Sequence, residues 1–356
     1  DLIINCLKDV VKKGIDKDLI ESSLHQLEIR QREITGSGMP YGLQIMLSCL
    51  PACIHNDDPL KVLDLDSSFS IIKNNLKEDG YIEKIINEKI IKNNHRVNYA
   101  LIPDPEFNNK NEEKIKNKIA KKSKDLSDND KQQIIDLASE LKKRQESIDD
   151  PEVLPKVTKE DIPHTRNYAE STITNIGNTN NYFYKTGTNG IIYHSMIYPC
   201  SKLSTDELKI ASLFANSLTN IGLNNMSYEE VQKIQAAITG GISSNFILLP
   251  NSNNSEHKLA LKITSKSLEK NVNKMQDILI KTISGADFTN ESRIKDLLNF
   301  VASDSEKSII QNGHILAMSN AAAQVNNIAA TNDITSGLNF ITNTSNLSKT
   351  IDQNNN

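Results

Sequence analysis

FNNKNEEKIKNKIAKKSKDLSDNDKQQIIDLASELKKRQESIDDPEVLPKVTKEDIP, residues 107–163, is the most charged and least globular stretch of the chain. Lys and Arg nearly balance Asp and Glu between residues 107 and 150, so the stretch is highly charged but almost neutral. Helices this polar bury little surface, and exposed ion pairs along them contribute only ~0.3–0.5 kcal/mol each. The pattern predicts a solvated helical hairpin that joins two globular parts of the chain.

Two helices are predicted within this stretch. The first covers Asn111–Lys124 and has a sparse apolar seam at Ile115 and Ile119. The second begins after Ser127, whose side chain can cap it, with Asp130 at the third position as the reciprocal partner. The apolar seam of the second helix consists of Ile134, Ala138 and Leu141. The prolines at the end of the stretch leave two alternatives open, an ordinary surface hairpin and a disordered linker.

The composition is that of a globular and somewhat polar protein. The chain has 356 residues, enough for two domains, of which 37% are apolar and 24% are charged. The net charge of −4 gives no general case for a nucleic acid or an anionic membrane as partner. No apolar run approaches the ~20 residues that span a bilayer. Because the chain starts at Asp1 and its opening helix lacks a cap, we expect a piece of a longer protein.

The part before the charged stretch reads as helices followed by one strand. Amphipathic spacing predicts a helix over Ile15–Glu33 and another over Tyr81–Ile91. Leu43–Ile54 is apolar on almost every side, which predicts a buried helix. The alternation of Val97, Tyr99 and Leu101 predicts a strand that closes a domain.

The part after the charged stretch alternates pairs of strands with pairs of helices. Capping boxes predict helices that begin after Ser204, with Glu207, and after Ser227, with Glu230; Gly222 fits the end of the first of these helices. The segments predicted as strands flank Gly187–Gly190 and include NFILLP (245–250) and KLALKIT (258–264); the final helices are predicted over 267–284 and 290–325. This order predicts an α+β fold with helices against one face of a mostly antiparallel sheet.

Two groups of residues could ligate a metal. Cys49, Cys53 and His55 lie within seven residues, but a structural zinc site uses four ligands, and no second pair lies nearby in the sequence. Buried core cysteines are the favoured interpretation. With four Cys in a chain of this length, a disulfide scaffold is not predicted, and a reducing compartment is the default.

The second group is His25-Gln26-Leu27-Glu28-Ile29, one residue short of the H-x-x-E-H motif of zinc peptidases. The motif needs a second imidazole four residues after the first, and Ile29 cannot ligate a metal. A helix with a half-exposed His25 is therefore the favoured interpretation.

Other motifs carry little chemistry. Gly187–Gly190 and Gly240–Gly241 lack the spacing of a phosphate-binding loop and are interpreted as turns and a helix end. The basic run Lys114–Lys124 has acidic neighbours and no interleaved aromatic residues, which favours a solvated helix face over RNA binding. No G-x-S-x-G nucleophile elbow is present.

Several segments together resemble a known family. They are LHQLEIRQRE (24–33), GLQIMLSCLPACIHNDDPL (42–60), NNHRVNYALIPDPE (93–106), LSDNDKQQI (126–134), LPKVTKEDIP (154–163), TNGIIYHSMIYP (188–199), MSYEEVQKIQAAITGGIS (226–243) and ESRIKDLLNFVASDSEKSIIQNGHILAMSNAAAQ (291–324). In this order they resemble the middle of presequence-protease-like zinc peptidases of the pitrilysin/insulinase superfamily, in which falcilysin is a relative. The resemblance covers nearly the whole chain.

The resemblance implies an architecture of four related α+β domains in two halves, joined by a helical hairpin and closing around a chamber. Mapped onto this sequence, residues 1–106 are the later part of the second domain, 107–163 the hairpin and 164–356 most of a third, non-catalytic domain. The zinc site of the family lies in the first domain, and the fourth domain contributes further active-site residues. The resemblance thus implies that no catalytic residue and no zinc ligand lies in this chain.

The third domain is related to the catalytic one, so the resemblance also shows where its zinc motif would have been. Counted back from Gly222, the H-x-x-E-H positions fall on Leu213–Ser217, with Leu213, Asn216 and Ser217 in place of the ligands. None of these side chains is a usual zinc ligand.

The resemblance implies a non-catalytic chamber-wall and hinge segment of a zinc metallo-endopeptidase that degrades short unfolded peptides. Its partners would be those peptides and the remaining domains of the same polypeptide. In such an enzyme zinc activates a water molecule for attack on the scissile carbonyl. Two alternatives remain: a free-standing inactive peptidase-like subunit that binds peptides, and a structural zinc protein built on Cys49, Cys53 and His55. A bacterial cytoplasm and an organelle interior both fit.

Overall fold

The computed structural model describes residues 2–34, 38–97, 99–165, 168–200, 203–250 and 257–354. Contacts divide the chain into two compact units, one formed by Asp1–Lys92 with Thr186–Asn356 and the other by Asn93–Lys185. Helices and small antiparallel sheets make up both, so the predicted α+β class is confirmed. The domain boundaries at residues 106 and 163 remain predictions.

The first unit contains most of the secondary structure. Its α-helices before the second unit are α1 (Leu2–Lys13), α2 (Lys17–Arg32), α3 (Tyr41–Ile54), α4 (Leu60–Leu63), α5 (Leu65–Asn75) and α6 (Tyr81–Ile85), and a π-helical turn follows at Ile86–Ile91. The second unit contains α7 (Phe107–Lys124), α8 (Asp128–Glu146), β1 (Ser171–Ile176) and β2 (Thr179–Tyr184). The first unit then resumes with β3 (Ile191–Pro199), α9 (Thr205–Leu218), β4 (Gly222–Leu223), α10 (Tyr228–Ile238), β5 (Ile242–Pro250), β6 (His257–Leu268), α11 (Val272–Ser284), β7 (Ala286–Asp287), α12 (Glu291–Ala323), α13 (Asn327–Ser336) and α14 (Leu338–Asn354).

A three-stranded antiparallel sheet in the order β3-β6-β5 forms the centre of the first unit. The central strand β6 buries Ala260 and Ile263 completely, because it has a partner on each side. Ile263 packs with Leu218 of α9 and with Met275 and Leu279 of α11. Strand and helices thus share one apolar core, whose burial favours folding by about 25 cal/mol per Å² of apolar surface.

Local capping sets where the helices begin. Ser204 and Ser227 each form the predicted capping box, with Glu207 and Glu230 as partners. The predicted role of Gly222 is wrong, because α9 ends four residues earlier and Gly222 lies in β4. A Cβ atom at this glycine would lie 2.6 Å from the carbonyl oxygen of Met226, so the tight turn explains the residue better than a helix end does.

Helix α2 is seated on α10 and on the sheet. Ile29 forms a buried cluster with Ile191 of β3 and Leu268 of β6. Gln26 Nε2 donates hydrogen bonds to backbone carbonyls of α10 and its C-cap, one of them to Thr239 at 2.6 Å. These contacts join parts of the chain that are more than 200 residues apart in sequence.

Two expectations for the first part of the chain are wrong. The predicted helix at 43–54 forms, but no residue of α3 is buried, and Met46 and Ile54 are 56% and 65% exposed. Among the described residues, the short helix α4 packs against α3 but leaves its apolar side chains largely exposed. The strand predicted at Val97, Tyr99 and Leu101 does not form in the described residues on either side of residue 98, and all three side chains are more than 80% exposed. An alternating pattern needs a neighbouring strand to pair with, and none is adjacent in the described residues here.

Three helices at the end of the chain pack together, and the sequence predicts only the first of them. Asp333 of α13 is 1% exposed and holds the group together. Its Oδ1 accepts from the backbone N–H of Leu338, and its Oδ2 accepts from Asn320 Nδ2 and Asn339 Nδ2. A buried carboxylate that accepts three hydrogen bonds connects α12, α13 and α14.

The second unit consists of exposed helices and a small hairpin. Both predicted helices form, the first starting four residues early at Phe107, and Ser127 and Asp130 make the predicted capping box. Every residue of α7 and α8 is exposed, including the apolar seams. Strands β1 and β2 form an antiparallel hairpin, so the strand expected before Gly187 pairs with β1, whereas the one after Gly190 pairs with β6.

None of the helices in the described part of the chain combines the length and apolar character that crossing a membrane requires.

Candidate functional site

The predicted remnant of a zinc motif lies on the C-terminal half of α9. Leu213 is partly buried, Asn216 is exposed and Ser217 is 9% exposed. Leu213 has no donor atom in its side chain. The amide of Asn216 and the hydroxyl of Ser217 are not among the Cys, His and carboxylate ligands that zinc prefers. These residues do not fit a zinc ion.

Packing, rather than chemistry, accounts for the surroundings of this helix segment. Phe214 of α9 stacks on Phe288, with ring centroids 5.5 Å apart. The backbone carbonyl of Asn216 accepts from Asn220 Nδ2 at 2.7 Å. Arg293 Nε in turn donates to the carbonyl of Asn220 at 3.0 Å. The segment is tied to the start of α12, as expected of a structural helix.

The second candidate, His25–Ile29, lies on α2 and is more buried than predicted. His25 is 8% exposed and Glu28 is 5% exposed, so the expectation of a half-exposed histidine is wrong. Glu28 Oε1 pairs with Arg32 at 3.0 Å, and Glu28 Oε2 accepts from Lys73 Nζ of α5 at 2.8 Å. Arg32 also pairs with Asp66, so the group links α2 to α5. Burial of His25 follows from α10, which covers this face of α2.

The two titratable groups differ in charge state. Burial alone would raise the pKa of Glu28, but the hydrogen bonds and charges of Lys73 and Arg32 outweigh it and hold that pKa below its usual value. Burial lowers the pKa of His25, and a hydrogen bond with the backbone of Ile238 offsets this only in part. Glu28 is therefore ionised and His25 neutral at neutral pH.

The third candidate, Cys49, Cys53 and His55, lies on α3 and at its end. Cys49 is partly buried, and its Sγ lies 3.7 Å from the carbonyl oxygen of Pro59. Cys53 and His55 are exposed, so the expectation that Cys53 is a core residue is wrong. Across the described ranges, no three His, Cys, Asp or Glu side chains are grouped as metal ligands would be.

Sequence reasoning missed the partners of Glu28. Arg32 could have been found, because residues four apart on a helix face each other. Lys73 could not, since it lies 45 residues away on another helix. The same holds for Lys266, which pairs with Glu33 at 2.5 Å from a strand more than 200 residues later.

The fold and these sites define an α+β segment of the kind found in peptidases, with no set of metal ligands on α9. Comparison with known proteins specifies the class. Residues 101–347 match the model of the family described as associated with subfamily C of the M16 peptidases, and the chain belongs to this family. The predicted resemblance to presequence-protease-like peptidases is confirmed.

Relatives with curated descriptions agree with this assignment. Presequence protease 1, chloroplastic/mitochondrial, of Arabidopsis thaliana is 25% identical over 359 residues, covering 99% of this chain and 33% of that protein. Protein HypA of Clostridium perfringens is 26% identical over 343 residues, covering 95% and 35%. The mitochondrial presequence protease of Yarrowia lipolytica is 24% identical over 344 residues, covering 95% and 34%. The chain spans about a third of the length of these relatives.

Proposed function

We propose that this chain is a non-catalytic chamber-wall and hinge segment of a zinc metallo-endopeptidase that degrades short unfolded peptides. The observation that carries the proposal is the family match over residues 101–347 in a chain that spans about a third of its peptidase relatives. The presence of Leu213, Asn216 and Ser217 at the motif positions of α9 supports a non-catalytic role for this domain. In this proposal the zinc ligands lie elsewhere in the longer polypeptide.

The charged stretch supports the hinge part of the proposal. It lies in a compact unit of its own, Asn93–Lys185, and its two long helices are exposed throughout. A strap along the outside of a two-part enzyme would need this solvated surface. The domain mapping, 1–106, 107–163 and 164–356, belongs to the same proposal. The proposed partners are short peptides and the other domains of the polypeptide.

The proposed compartment follows from the relatives. Several are named as mitochondrial or chloroplastic proteins, which favours the interior of an organelle. The Clostridium relative keeps a bacterial cytoplasm as the alternative.

The coding sequence on the N-terminal side of Asp1 and the activity of the longer polypeptide test the proposal. We expect an H-x-x-E-H motif upstream, and cleavage of short unfolded peptides that a chelator abolishes and zinc restores. Folded proteins should resist cleavage, because a closed chamber excludes them. A start codon close to Asp1, or a full-length polypeptide without chelator-sensitive cleavage, would favour the free-standing inactive subunit instead.

A further inference from the structure

A cleft of about 850 Å³ opens between α2, α5, α10 and the turn before α11. The volume lies in the range of sites that bind small ligands. None of the candidate motifs discussed above explains it, although His25 and Glu28 contribute to its wall. Leu24 of α2 and Ile234 of α10 supply apolar surface.

The wall of the cleft contains a polar atom whose hydrogen-bonding capacity is unmet. Nε2 of His25 is buried and has no hydrogen-bond partner in the part of the chain that the structure describes. Buried polar atoms in folded proteins are nearly always paired, so an unpaired one calls for a ligand or another partner. Because the imidazole is neutral, it can pair with a polar uncharged group such as a peptide amide.

Charges of opposite sign line the two sides of the cleft. Asp18 and Glu21 lie on α2, whereas Lys233 lies on α10 and Lys270 just before α11. None of these four side chains makes an ion pair within the described residues. Glu28, by contrast, is already neutralised by Arg32 and Lys73. A simple anion would suit the lysines but be repelled by the carboxylates, and a simple cation would meet the reverse.

We propose that this cleft binds a short peptide with free termini, a ligand class that rests on the proposed function. The carboxylate of the peptide lies toward Lys233 and Lys270, and its amino group toward Asp18 and Glu21. Its main chain lies against His25, and its side chains contact Leu24 and Ile234. A zwitterionic ligand matches both rims at once.

Calorimetric titration of the full polypeptide that carries this chain tests the proposal, with a chelator present to stop cleavage. The probe is tetra-alanine with free termini, and its control is the same peptide acetylated and amidated. We expect saturable binding of the free peptide and about tenfold weaker binding of the capped one, since hydrogen bonds between charged groups are lost.

Variants assign the binding to this cleft. Lys233→Gln, Lys270→Gln and Glu21→Gln should each weaken tetra-alanine binding by about threefold, the effect of one exposed ion pair. Lys307→Gln, an exposed lysine on α12, is the matched control and should change nothing. Absence of saturable binding, equal binding of the capped peptide, or equal binding by the Lys233→Gln/Lys270→Gln double variant and the Lys307→Gln control overturns the proposal. Peptide turnover tests the proposed function separately, so either can fail without the other.

Discussion

Truncation of Ile29 tests the seat of α2 directly. The side chain is 2% exposed and packs against Ile191, 0% exposed, and Leu268, 7% exposed, on two paired strands. Ile29→Ala removes three carbon atoms from this cluster and leaves a cavity. Substitutions of this kind cost about 2–5 kcal/mol, and we expect about 3 kcal/mol because the site lies between rigid strands and a helix.

Urea denaturation and native-state hydrogen exchange measure the effect. A loss of about 3 kcal/mol corresponds to a roughly hundredfold increase in the opening equilibrium that exposes the backbone amides of α2. The control is Leu19→Ala on the same helix, whose side chain is 58% exposed and should change stability by no more than about 0.5 kcal/mol. Equal exchange rates in the two variants would show that α2 is not seated on the sheet through Ile29.

Three further predictions concern polar contacts. Glu28→Gln should destabilise the chain by about 2 kcal/mol at neutral pH by removing the charge that pairs with Arg32 and Lys73. Because the folded-state pKa of Glu28 is lowered, its contribution is complete above the unfolded pKa and is lost as the pH falls through the folded value. Urea melts across this acidic range should therefore converge for the two proteins, and a constant gap would contradict the assignment. Asp333→Ala should destabilise the last three helices by about 3 kcal/mol, seen as faster hydrogen exchange there, whereas unchanged exchange would refute its role. Ser227→Ala should cost about 1 kcal/mol in a thermal melt, and Ser227→Asp, which keeps a cap, should recover most of it.

Local signals in the sequence predicted the helix starts, because capping depends on residues only three apart. Ser127, Ser204 and Ser227 each cap a helix as expected. Signals that depend on distant partners were less informative. The apolar pattern of α3 predicts burial but not what covers it, and the alternation around Tyr99 cannot reveal whether a second strand lies beside it.

The polar residues of α13 and α14 also lacked a readable signal. Their sequence is rich in Asn, Thr and Ser, which favour caps and turns in isolation. Tertiary contacts around Asp333 hold these helices, and contacts of that kind cannot be read from local composition.

Candidate sites followed the same division. Family resemblance located Leu213, Asn216 and Ser217, and the structure places them on one helix as that mapping requires. The environment of His25 was misjudged, because α10, which covers it, lies more than 200 residues later. The charges around the cleft come from separate helices, so sequence spacing alone could not bring them together.

Peptide cleavage by this 356-residue chain alone tests the central claim most directly. The chain is purified, supplied with zinc, and incubated with short unfolded peptides, and the zinc bound per chain is measured alongside. The account predicts no cleavage with or without zinc and less than one equivalent of bound metal, since α9 has no zinc ligands at Leu213, Asn216 and Ser217. Chelator-sensitive turnover by the purified chain would contradict it.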